Sequence, residues 1–230
     1  MNNPSLLKKN IVALIPLRGG SKSIPRKNIK EIAGKPLCAW VLESASNAKL
    51  INNVYVSTDS EEIKAVVESL NLGVKVIFRP KNLATDEAST ESVMINFMSQ
   101  VDFDIIVTIQ ATSPLLCCHE LDQALKVFNS DNLNSMLSAV RTKRFFWTEA
   151  GAPINYNPKE RPLRQNFAGT MMENGAFYIT DRTTLKNTNC RLGGKIGVFE
   201  MPDNTAVEID EPSDWKIVKN LLELKKINDY

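Results

Sequence analysis

Apolar and polar positions along this chain follow two rhythms in turn. Short apolar runs at residues 11–15, 54–57, 74–78, 105–109 and 135–140 have the length and β-branched content of buried strands. Between them, apolar residues recur at helical spacing. Leu37, Trp40, Val41, Leu42 and Ala45 define one face of a predicted helix over 37–48, and Ile63, Val66, Val67 and Leu70 one face of another over 61–70. Ser60 or Asp59 is placed to cap the second helix, because a short oxygen-bearing side chain there can accept from an unpaired first-turn N–H. Residues 89–98 and 120–128 complete the helical set. Strand followed by helix, repeated, predicts an α/β fold: a mostly parallel, doubly wound, Rossmann-like sheet with helices on both faces.

The rhythm breaks over residues 141–172. This stretch contains Phe145-Phe-Trp147 and three prolines, Pro153, Pro158 and Pro162, with no sustained period. It reads as a projecting arm or hairpin, or else as a long surface loop. An aromatic cluster on a projecting arm suits packing against another subunit. The pattern then resumes with predicted strands at 175–180, 195–201 and 206–209 and a closing helix over 213–227. Residues 1–230 are expected to form a single domain with the arm inserted.

Composition narrows the classes. A hydrophobic content of 43% with 23% charged residues suits a water-soluble globular protein, and a net charge of +2 gives no global case for nucleic acid or a membrane surface. No apolar stretch approaches the roughly 18–20 residues of a membrane span. The first nine residues lack a secretory apolar segment, so a cytoplasmic protein is expected. Cys38, Cys117, Cys118 and Cys190 show neither Cys-x-x-Cys spacing nor a histidine cluster, and read as reduced thiols. The only histidine, His119, sits at a predicted helix start and reads as a capping or surface residue.

Charge matters by position. The first strand runs directly into Pro16-Leu-Arg-Gly-Gly-Ser-Lys-Ser-Ile-Pro-Arg-Lys-Asn28. Gly19 and Gly20 let backbone N–H groups approach an anion, while Arg18, Lys22, Arg26 and Lys27 supply countercharge. That is phosphate-binding chemistry, although the spacing is neither the P-loop nor the dinucleotide fingerprint; a plain basic surface loop is the alternative. Near the other end, Glu208 and Asp210 are two apart, so a strand there would present both carboxylates on one side. Such a pair suits Mg²⁺, whose shell is completed by water and substrate phosphates, or is a solvated acidic strand end. In a parallel sheet the glycine loop, Ser57-Thr-Asp59 and Gln110-Ala-Thr-Ser-Pro114 would converge on one rim.

These blocks, with Ile32-Ala-Gly-Lys-Pro36, Arg79-Pro80, Leu83 through Thr90 and Asn174-Gly-Ala-Phe-Tyr178, occur in order. Together they make the chain resemble the CMP-sialic acid synthetases (acylneuraminate cytidylyltransferases) nearly end to end. The resemblance implies a nucleotidyltransferase-type sheet, a dimerisation arm at about 141–172 and a homodimer. It implies that Arg18, Lys22, Lys27 and Asn28 bind the nucleotide's phosphates and ribose or base, with Arg79, Ala88 and Thr90 at cytosine. Gln110, Arg164 and Tyr178 match sugar-acid positions, Arg164 being suited to the carboxylate. Glu208 and Asp210 match metal-binding carboxylates, and Arg18, Lys27 and Asp210 would carry catalysis. Three features depart from the common pattern. Glu208 stands where Asp is usual, Leu116 replaces an arginine, and Cys190-Arg191-Leu192 falls where some members place an aromatic pair.

The implied reaction is transfer of CMP from CTP to the anomeric hydroxyl of a nonulosonic sugar acid, with Mg²⁺ and release of pyrophosphate. The acceptor stays open between N-acetylneuraminate, ketodeoxynonulosonate and legionaminate. Rival readings are a 3-deoxy-manno-octulosonate cytidylyltransferase or other sugar nucleotidyltransferase, a glycosyltransferase using Glu208-x-Asp210, and a catalytically silent nucleotide-binding homologue.

Overall fold

The computed structural model of the chain describes residues 9–228; residues 1–8, read above for a leader, lie outside them. A seven-stranded sheet has the order β5-β4-β1-β6-β8-β7-β9. In chain order these are β1 (Ile11–Pro16), β4 (Asn53–Thr58), β5 (Lys75–Phe78), β6 (Ile105–Ile109), β7 (Ser135–Thr142), β8 (Thr170–Asp181) and β9 (Ile196–Met201). A small separate hairpin pairs β2 (Glu31–Ile32) with β3 (Lys35–Pro36). Ala33 and Gly34 both take positive φ at its two-residue turn, a geometry that alternation of apolar residues does not reveal.

Strands β5, β4, β1 and β6 are mutually parallel. β8 is antiparallel to both β6 and β7, and β9 is parallel to β7. The central strand explains its own composition: Ile11 through Ile15 are buried because both faces of the sheet are covered. Helices α1 (Leu37–Asn47), α2 (Glu61–Ser69) and α4 (Cys118–Ser130) supply one apolar layer, in which Val41, Val67 and Leu125 meet Ile15 and Val107. Helices α3 (Thr90–Met98) and α5 (Arg182–Thr188) close the other, where Phe97 and Leu185 meet Leu14 and Ile106. Burying each such side chain contributes about 1.5–3 kcal/mol, so a charge at Leu14 would break the sheet's centre. The last helix, α6 (Pro212–Asn228), packs Val218 and Leu222 against Leu37, Trp40 and Ile209.

From β1 the chain moves outward to β4 and β5, then returns to place β6 on the other side of β1. The connections therefore diverge at the carboxyl ends of β1 and β6, where such sheets open a crevice. Among the described residues no helix is long and apolar enough to cross a membrane. Cys38, Cys117, Cys118 and Cys190 are free thiols, and burial pushes Cys38 up to about 12.

Two expectations need correction. Residues 206–209 are not a strand: 203–206 form a 3-10 turn and the chain then runs irregularly into α6. The apolar alternation there came from Ile209 seating in the α6 core, and its N–H donates to the Thr112 carbonyl at 2.9 Å rather than to a ladder. The irregular arm is also shorter than expected. β7 and β8 stay paired out to Thr142 and Thr170, which leaves 143–169 as the excursion. It has its own packing: Phe145 lies 4.2 Å from Tyr156 and 4.9 Å from Phe167, ring centre to ring centre, with the Arg161 guanidinium 4.5 Å above it.

Candidate functional site

Two adjoining concavities open at the carboxyl ends of the parallel strands and share Gln110 and Thr112. The first, of about 250 Å³, is lined by the glycine loop, the segment from Arg79 to α3, and the turn after β6. The second, of about 390 Å³, lies toward β8 and the approach to α6.

Polar bonds to distant elements fix the glycine loop. The Gly19 N–H donates to Asp59 Oδ1 at 2.9 Å, and the Asn28 side-chain amide donates to the Arg18 carbonyl at 2.9 Å. Asp59 is free for this because Ser60 caps α2, accepting from the Ile63 N–H at 3.3 Å. Lys27 is largely buried, its side chain 14% exposed; its Nζ donates to the Ile209 carbonyl at 2.8 Å and lies 3.3 Å from Asp210 Oδ1. Arg18 and Lys22 both engage the Asp86 carboxylate, Lys22 at 2.6 Å, and these two cations hold Asp86 below the usual carboxylate range. Arg26 turns away and pairs with Glu62 on α2.

Arg79 is 7% exposed, and its Nε has no hydrogen-bond partner among the described residues. Burial lowers its pKa; nearby Asp59 opposes that effect and Arg18 adds to it. A buried guanidinium nitrogen without a partner is costly, and the Arg79 side chain as a whole lines the first cavity. Ala88 and Thr90 line the same cavity, with α3 capped by Ser89, which accepts from the Ser92 N–H at 3.1 Å.

In the second cavity Glu208 and Asp210 converge although no strand carries them. Burial raises the Glu208 pKa, the Asp210 charge raises it further, and Lys27 opposes both. Gly175 makes the approach possible: it holds φ +65°, and a Cβ there would stand 2.7 Å from Glu208 Oε2. Tyr178 donates its hydroxyl to Glu173, and burial together with that carboxylate pushes the phenol's pKa up. Among the described residues no group of three or more His, Cys, Asp or Glu is arranged to hold a metal. The donor set suits Mg²⁺ nonetheless, since two carboxylates leave the rest of an octahedron to water and phosphate oxygens.

The structure thus brings Arg18, Lys27, Asn28, Arg79, Ala88, Thr90 and Gln110 around the first cavity, with Lys22 joined to it through Asp86. Gln110, Tyr178, Glu208 and Asp210 surround the second. Arg164 is the exception. It is exposed on the arm, in a separate basic hollow with Arg141, Lys143 and Arg144. The reason is geometric: β7 and β8 carry the arm outward, away from this chain's own crevice. Sequence reading missed Glu173 as a cavity-lining residue and the bridging role of Asp86, and met Arg191 only as a departure from the family pattern. Glu173 and Asp86 had adjacency to or membership of recognisable blocks as their sole signal.

Comparison with known proteins places these features in context. A family model described as cytidylyltransferase matches residues 12–230. The chain is 38% identical over 220 residues to N-acylneuraminate cytidylyltransferase of Oncorhynchus mykiss, an alignment covering 92% of this chain and 50% of that protein. It is 32% identical over 225 residues to pseudaminic acid cytidylyltransferase of Campylobacter jejuni subsp. jejuni, covering 93% of this chain and 96% of the relative. The chain therefore spans about half the length of the Oncorhynchus relative and nearly all of the Campylobacter one. Among solved structures, CMP:2-keto-3-deoxy-manno-octonic acid synthetase complexed with CTP superposes with a TM-score of 0.71 at 20% identity, covering 94% of this chain and 99% of that one. That likeness shows the shared fold.

Proposed function

From the premise that this chain belongs to the cytidylyltransferase family, we propose that it transfers CMP from CTP to the anomeric hydroxyl of a nonulosonic sugar acid and releases pyrophosphate. One observation carries the reading: the cationic glycine loop and the distant acidic doublet meet, Lys27 Nζ lying 3.3 Å from Asp210 Oδ1 at the border of two cavities that share Gln110 and Thr112. A nucleotide in the first cavity would point its phosphates at an acceptor in the second.

Arg79, which lines the first cavity, would present its guanidinium to the acceptor atoms of cytosine. Arg18 and Lys22, both paired here with the single carboxylate of Asp86, exchange it for triphosphate oxygens. Lys27 is held rigidly enough to stabilise charge on the α-phosphate. Glu208 and Asp210 would hold Mg²⁺, which when bound offsets triphosphate charge and polarises the phosphoryl group under attack. The anomeric oxygen attacks the α-phosphorus in line, the bond to the β-phosphate bridging oxygen breaks, and the hydroxyl proton passes to solvent. Catalysis of this kind rests mainly on positioning and charge stabilisation.

The arm supports a homodimer. Ile154 and Leu163 are 61% and 64% exposed beside the aromatic cluster, more apolar surface than a free arm needs. In a dimer, Arg164 would lie near the subunit boundary. A soluble cytoplasmic protein, with no nucleic-acid or membrane partner, fits CTP as co-substrate.

The test is pyrophosphate release from CTP, ATP, GTP and UTP with a panel of N-acetylneuraminate, ketodeoxynonulosonate, legionaminate, pseudaminate and 3-deoxy-manno-octulosonate. Turnover with CTP and a nine-carbon acid is expected. Turnover confined to the octulosonate would shift the acceptor class, and CTP binding without release on any acid would make the chain a silent homologue.

A further inference from the structure

Asp210 lines the second cavity, and its carboxylate reaches Lys27 Nζ at 3.3 Å on the border with the first. That contact joins two groups with separate tasks. In the proposed reaction Lys27 answers charge on the α-phosphate, so triphosphate oxygens compete with the Asp210 carboxylate for one ammonium. The Ile209 carbonyl, at 2.8 Å, can keep its bond to Lys27; the longer contact to Asp210 is the one that phosphate displaces.

The backbone of Asp210 is held independently of Lys27, by two elements. From the glycine loop, the Ser23 hydroxyl donates to the Asp210 carbonyl at 2.6 Å, across 187 positions. From α6, the Asp214 carboxylate accepts the Asp210 N–H at 3.1 Å and the Glu211 N–H at 2.7 Å. Asp214 is the third residue of α6, and its reach back to the N–H groups ahead of the helix is half of a capping box. Both holds have firm footings. Ile24, next to Ser23, is buried in the same apolar cluster as Ile209, Val218 and Leu222, and the Ile209 N–H donates to the Thr112 carbonyl at 2.9 Å. An anion entering the first cavity competes for an ammonium far more strongly than for a neutral hydroxyl already bonded to a carbonyl.

Resting on the reading above, we propose that Ser23 and Asp214 are positioning residues for the reaction. They clamp the Asp210 peptide between the glycine loop and α6, and so keep its carboxylate at the border of the two cavities after phosphate has drawn Lys27 off it. The clamp also joins the phosphate loop to the acidic doublet, so a nucleotide that orders the loop orders Asp210 with it.

The experiment uses the full chain as wild type, Ser23→Ala and Ser23→Thr, the last keeping the hydroxyl. Amide hydrogen exchange over residues 207–215 is followed with and without saturating CTP in the presence of a chelator, so that neither metal nor acid enters. Without CTP, Ser23→Ala is expected to exchange within about twofold of wild type, because Lys27 still holds Asp210. With CTP bound it is expected to exchange about fivefold faster, the equivalent of one lost hydrogen bond. In steady-state pyrophosphate release its kcat is expected to fall about tenfold, with the CTP KM within about twofold of wild type. Ser23→Thr should restore both readouts. CTP-bound Ser23→Ala that exchanges like wild type would overturn the proposal. So would a loss carried by the CTP KM with kcat unchanged, since Ser23 would then be a phosphate ligand. Asp214→Ala is expected to speed exchange in both states and to lower kcat, while Asp214→Asn, which retains an acceptor oxygen, recovers most of each. An Asp214→Asn variant as impaired as Asp214→Ala would remove Asp214 from the clamp. Failure of the functional reading shows separately, as wild type that binds no CTP or releases no pyrophosphate with any acid.

Discussion

At the scale of single residues, the site is a set of charges held close to one another by bonds to remote parts of the chain. The Asp210 side chain is 64% exposed, and the Ile209 carbonyl also holds its partner Lys27, so Asp210 contributes little to the fold. Asp210→Asn is expected to keep the melting temperature of wild type while losing magnesium-dependent pyrophosphate release by a factor of about 100 or more, as removal of a directly acting charge does. Normal turnover in that variant would refute the metal assignment. Lys27→Ala should act on the nucleotide instead, raising the CTP KM by roughly tenfold through loss of one charge-assisted contact. An unaltered response to CTP concentration would count against its phosphate role. Residue types and spacing pointed to both positions. They could not place Arg191 and Glu173 on one wall with Glu208, because that wall forms only when β8 and the approach to α6 come together.

At the scale of elements, the link between local structure and chemistry is clearest at α3. Ser89 caps this helix, and the cap presents Thr90 to the first cavity while Glu91 braces Arg191 in the second. Ser89→Ala is expected to cost about 1 kcal/mol of stability, seen as a lowered denaturant midpoint, and to weaken CTP binding by a few-fold as the first turn frays. A stability loss with unchanged CTP affinity would show that the helix start is not what positions the nucleotide. The strand and helix pattern was legible because both faces of the parallel sheet are buried, which writes apolar runs into the sequence. The stretch 206–209 misled for a related reason. Ile209 enters a core without entering a ladder, and periodicity records burial rather than hydrogen bonding.

At the scale of the whole molecule, the arm and the crevice lie apart within one chain. The 143–169 excursion leaves the sheet between two antiparallel strands and carries Arg164 to a hollow separate from the two cavities at the strands' carboxyl ends. Sedimentation of the full chain at micromolar concentration is expected to show a dimer, and Leu163→Asp together with Ile154→Asp to shift it toward monomer without lowering helix content. A wild-type monomer would remove the arm's proposed role. Taken alone, the sequence determined the alternating α/β architecture, the cationic glycine turn and the acidic doublet, because each is encoded within a few consecutive residues whose types carry their own physics. The tertiary structure decided what those pieces do to one another. Gly175 gives Glu208 room, Lys27 reaches across 183 positions to Asp210, and Arg191 stands on the acidic wall. Such pairings depend on how the sheet's carboxyl ends meet in space, a relation that no local window of sequence contains.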